Sequence, residues 1–103
     1  MTTYDFLEFI HDQLSRMASL NEVTDELTQE DGNLLSAIGG TAEVIMEYAN
    51  RTKDSDLYQI GDDFEYCVNH IGMKAYFKAA NILEEAKLKI EAYKWRRRHD
   101  YVY

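Results

Sequence analysis

The sequence predicts a small all-α bundle of about four amphipathic helices, and three observations lead there. Apolar residues recur at spacings of three and four along most of the chain. Proline is absent from all 103 residues, and without its turn and edge-strand punctuation helices joined by short polar turns are favoured. No segment alternates apolar and polar over a β-branched run, as a half-buried strand would.

The first helix opens near Thr3, which can cap it, with Asp5 in the first turn where the macrodipole favours an anion. Phe6, Ile10, Leu14 and Met17 then mark one face, widened by Leu7 and Phe9, and the pattern fades at Leu20-Asn21. Thr24 to Thr28 is polar. Thr28 followed three residues later by Asp31 resembles a capping box with aspartate in the glutamate position, which starts a second helix over roughly 28–50. Its stripe is Leu34, Leu35, Ile38, Ala42, Ile45, Met46 and Ala49. Gly39-Gly40 interrupts it at about 1 kcal/mol per glycine relative to alanine. With Ala37, Thr41 and Ala42 alongside, the pair is expected to let another backbone approach closely rather than to break the helix.

Arg51 to Asp56 is the clearest linker, and Asp54 or Ser55 caps a third helix with the stripe Leu57, Ile60, Phe64, Cys67 or Val68, and Ile71. That spacing puts Asp62, Asp63 and Glu65 on the wet side. Gly72 suits a C-terminal turn, although the period also runs through it to Ala75, Ala79 and Ile82, which leaves the third and fourth helices separate or continuous. The fourth helix, roughly 74–98, presents Tyr76, Ala79, Ala80, Leu83, Ala86, Ile90 and Tyr93 on one face, with Glu85 and Lys89 as an i,i+4 pair. Short connections suggest an up-and-down bundle or two packed hairpins. The expectation is one domain, 1–103, with a basic helix end and short tail over 94–103. A chain this short buries only about 60–65% of its unfolded surface. Long stripes on the second and fourth helices are therefore a reason to expect a homodimer or higher oligomer.

Formal net charge is −8, and it is unevenly spread. Residues 1–65 hold fifteen acids against three bases, whereas residues 66–103 hold four acids against eight bases. Cys67 is the only cysteine, so no intramolecular disulfide can form, which fits a reducing compartment. Met1 to Ile10 carries Asp5 and Glu8 and does not read as a signal peptide. No run approaches the roughly 18 apolar residues of a membrane span. A cytoplasmic protein without a membrane role is expected.

Several motifs bear on chemistry. Glu8 and His11 form E-x-x-H on one helix face, but a di-metal bundle needs a second such pair and two more carboxylates. Cys67 and His70 form C-x-x-H with Asp63 one turn earlier, short of the four donors of a closed zinc site and without an oxyanion-hole element for nucleophilic catalysis. Gly39-Gly40-Thr41 lacks the lysine, the spacing and the preceding strand of a phosphate loop. The sequence therefore points to no enzyme, no cofactor and no metal.

Two features suggest binding. Acidic clusters at Glu22, Asp25, Glu26, Glu30 and Asp31, and at Asp54, Asp56, Asp62, Asp63 and Glu65, could dock on a basic protein surface or imitate a phosphate backbone. Glu26, Glu30, Asp31, Asp62, Asp63 and Glu65 are the expected contacts. The chain would then be a non-catalytic interaction protein that inhibits or modulates a target. The alternative is a nucleic-acid or nucleotide binder. In it Lys94, Arg96, Arg97 and Arg98 hold phosphates while Tyr93 and Trp95 stack. The same bases also suit a helix C-terminus, or pairing with the chain's own acids. In size and composition the chain resembles small accessory regulators, counter-defence proteins of mobile elements among them, a likeness that no motif carries.

Overall fold

A computed structural model describes residues 2–19 and 27–100, with side chains as far as residue 96. It is all-α, with four helices packed against one another: α1 Thr3–Ala18, α2 Gln29–Thr52, α3 Ser55–Gly72 and α4 Tyr76–Asp100. Among the described residues there is no strand.

Caps set the helix starts. Thr2, not Thr3, is the N-cap of α1. Its hydroxyl accepts from the Asp5 amide, and the Asp5 carboxylate accepts from the Thr2 amide. A capping box needs its acid three residues after the cap, which Thr2 has and Thr3 lacks. Thr28 and Asp31 form the same reciprocal pair at the start of α2. Asp54 caps α3 by accepting from the Leu57 amide. The third and fourth helices are separate. The chain leaves α3 through Met73 and reverses at Lys74, which takes the left-handed conformation at φ 62° and leaves Gly72 with an ordinary negative φ. A second left-handed residue, Lys53, closes α2.

Helix directions alternate, which gives an up-and-down bundle. Tight turns make α2 antiparallel to α3 and α3 antiparallel to α4. Tyr4 meets Tyr93 and His11 meets Leu83, so α1 runs antiparallel to α4. α3 is the hub, packed along both α2 and α4, while α1 leans on α4 and touches α2 only sparsely. One core unites all four helices, with Leu14, Met17, Ile60, Phe64, Cys67 and Ile71 sealed from solvent at its centre. Burying such side chains contributes roughly 1.5–3 kcal/mol each. On α1, Leu7 enters the core and Phe6 packs at its margin, and on α4 Ala80 lies outside it.

The glycine expectation needs correction. α2 does run straight through Gly39-Gly40, but that pair is not where backbones meet. A Cβ on Gly40 would touch nothing within 4 Å, and one on Gly39 would make only an ordinary 3.4 Å contact with Val68. The close approach is at Gly61 on α3, where a Cβ would lie 2.8 Å from Met46 Cγ, 3.1 Å from Ile45 Cγ2 and 3.3 Å from the Ala42 carbonyl oxygen.

Candidate functional site

The basic end of α4 is tied into the bundle. The Lys89 ammonium donates to Asp63 at 2.8 Å, Lys94 lies 3.8 Å from Glu8, and Arg96 pairs with Asp56. These acids belong to α1 and α3, so α4 is clamped to both neighbours by charge as well as by packing. Tyr93 is buried, edge-on to Tyr4 with centroids 5.9 Å apart, and has no face to offer a base. Trp95 is 61% exposed. Arg97 and Arg98 belong to the α4 backbone, and their side chains lie outside the described ones.

The expected acidic contacts divide into two groups. Asp31 is buried: it completes the α2 capping box and accepts from Arg16 of α1 at 2.9 Å. The Arg16 guanidinium, aided by the Thr28 bonds, holds its carboxyl below the usual carboxylate value. Asp63 is not on the wet side of α3 but turned towards α4. Burial pushes its carboxyl above the ordinary value, and the Lys89 ammonium only partly offsets this. Asp31 and Asp63 therefore serve the fold. Glu30 and Asp62 are exposed and Glu65 is half-buried, each without an ion pair among the described residues. Glu26 lies outside the described residues.

Two acids missed by the sequence reading join them. Glu43 and Glu47 are exposed on α2, one turn apart. Gly61 packs against Ala42 and Met46, which sets Asp62 and Glu65 of α3 at the level of Glu43 on the same outer side of the hairpin. The i,i+4 spacing of Glu43 and Glu47 was the available signal. It pointed nowhere until α2 and α3 were in register.

The motif residues are otherwise engaged. His11 Nε2 is 2.8 Å from the Leu83 carbonyl oxygen and bridges α1 to α4, while Glu8 faces Lys94. Cys67 is sealed in the core with its thiol directed at the Ala79 carbonyl oxygen, and burial pushes its pKa up to about 12. A thiolate nucleophile at neutral pH would need the opposite shift. His70 stacks on Tyr66, with ring centroids 3.9 Å apart, and its Nδ1 lies against the Tyr66 carbonyl oxygen. Among the described residues, no three histidine, cysteine or carboxylate side chains converge as a metal site would require. No described helix is long and apolar enough to cross a membrane.

Two shallow grooves flank α1. One, of about 370 Å³ against α4, is bordered by His11, Ser15, Phe77 and Lys87. The other, of about 620 Å³ against α2, is lined by Phe6, Val44, Ile45 and Tyr48 and is the more apolar. No protein-family model matches the chain, and neither a curated protein nor a solved structure matches it.

Proposed function

We propose that this chain is a non-catalytic interaction protein whose acidic α2–α3 face docks on a basic surface of a target protein and inhibits or modulates it. One observation supports the reading above the others. Lys89, Lys94 and Arg96 of α4 pair with acids of α1 and α3, whereas Glu43, Glu47, Asp62 and Glu65 make no ion pair among the described residues. Packed helices fix the backbone positions of these carboxylates, so only side-chain freedom is lost when a basic groove closes over them. Such an array can stand in for a phosphate backbone, with counterion release strengthening the encounter at low salt.

The test is affinity capture from a lysate of the native host with and without nuclease, comparing the native chain with Glu43→Gln/Glu47→Gln/Asp62→Asn/Glu65→Gln. A protein captured after nuclease treatment, released by moderate salt and bound at least about tenfold more weakly by the neutralised chain, supports the proposal. Equal capture by both chains would overturn it. Partners lost on nuclease treatment would instead favour nucleic-acid binding through the exposed Trp95 and the α4 end.

A further inference from the structure

We propose that a second copy of this chain packs on the open side of α2, antiparallel to it, about a two-fold axis beside Gly40 and Thr41. Among the described residues, the side of α2 turned away from α3 is unpartnered along most of its length, because α1 covers α2 only sparsely. Val44 is 63% exposed and Tyr48 53%, and both line the groove that Phe6 of α1 borders. Large apolar side chains gathered on one face, above an apolar groove of about 620 Å³, mark an interaction surface more often than scattered ones do.

The pattern of charge along this face identifies the occupant. On the arc holding Asn33, Ala37, Gly40, Thr41, Val44 and Tyr48 there is no charged residue. The arc is closed at its two ends by Glu30 and Arg51, both exposed and neither in an ion pair among the described residues. These two lie equally far from the Gly40–Thr41 bond, about 16 Å along the helix axis at 1.5 Å per residue. An antiparallel copy centred there sets Glu30 against the partner's Arg51 at both ends. It also sets Asn33 against the partner's Tyr48 and Ala37 against the partner's Val44. A parallel copy would oppose like charges.

A face that complements itself only under a two-fold rotation is what an isologous dimer requires. The absence of a side chain at Gly40, with open space where its Cβ would be, lets the two helices approach at the crossing point. A shallow crossing of about 20°, the usual angle in bundles, keeps the terminal charges within reach of each other. Glu43 and Asp62 of the acidic target-binding face lie outside this arc, and Glu47 borders it one turn before Arg51.

Sedimentation velocity over a range of concentrations, with circular dichroism to confirm the fold, tests the proposal. The native chain should dimerise. Glu30→Arg alone and Arg51→Glu alone should each weaken the dimer at least about tenfold, since each turns two attractions into two repulsions. The double variant Glu30→Arg/Arg51→Glu, and an equimolar mixture of the two single variants, should both recover it. A chain that stays monomeric throughout, or a dimer unmoved by the single substitutions, would overturn the arrangement. Failure of the double variant and the mixture to recover the dimer would do the same.

Discussion

On the side of α2 that faces α3, Ala42 and Ala49 are buried, and Gly61 of the other helix comes up against Ala42 and Met46. On the opposite side Ala37 and Gly40 are exposed, and nothing stands within 4 Å of where a Gly40 side chain would begin. Both sides carry small residues at helical spacing, so composition does not separate them. What separates them is the partner. A small residue is required only where another backbone occupies the space it vacates, and for α2 that partner is Gly61. Filling both spaces tells the two sides apart. Gly61→Leu forces Ile45, Met46 and the Ala42 backbone apart, and should cost about 3 kcal/mol or more. Gly40→Ala meets no obstacle and replaces a poor helix former by the best one, so it should add about 1 kcal/mol. Denaturant unfolding at low protein concentration, where only the monomer contributes, reads both. Comparable losses at the two positions would show that the two sides of α2 are packed alike.

How much of this was legible beforehand follows the range of each interaction. Fold class, helix number and the caps at Thr28 and Asp54 are local, written within four residues of where they act. Asp5 stands three residues after Thr2 and only two after Thr3, so the capping box selects Thr2. Hydrophobic period continues through Gly72 and does not fix the turn between α3 and α4, whose reversal is made by Lys74, a residue with no marked preference for that conformation. Contacts between helices were out of reach. Nothing local distinguishes Asp63, which meets Lys89 26 positions away, from Asp62 beside it. Likewise Glu43 and Glu47 gain meaning only once α3 is placed next to them.

The same contrast between inward and outward extends to charge. Asp31 and Asp63 are both drawn into the bundle with a basic partner at less than 3 Å, yet their carboxyls shift in opposite directions. Around Asp31 the Arg16 guanidinium and the Thr28 bonds outweigh burial and lower its pKa. Its contribution to stability is therefore complete at neutral pH and fades as the pH falls below the ordinary value of 3.8. Asp31→Asn keeps an oxygen for the Thr28 amide but removes the charge that holds Arg16, and should cost about 1 kcal/mol at pH 7. Urea unfolding of both proteins across pH 3 to 7, about the ordinary carboxylate value, should find that gap narrowing towards the acid end. A gap that stayed constant with pH would show that the Asp31 charge contributes nothing.

Asp63 should show the opposite sign and the smallest effect. Burial raises its pKa despite Lys89, so the charged form is the less comfortable one in the folded chain. Stability linked to this group is present below 3.8 and is lost as the pH rises through the higher folded value. Asp63→Asn keeps the shape, leaves Lys89 an oxygen to donate to, and removes the buried charge. At pH 7 its effect should stay within about 0.5 kcal/mol, towards greater stability, and the decline from acid to neutral pH should flatten. A loss above about 1 kcal/mol would mean that the Lys89 pair outweighs the burial of its carboxylate. Asp63 would then hold α3 to α4 as firmly as Asp31 holds α2 to α1.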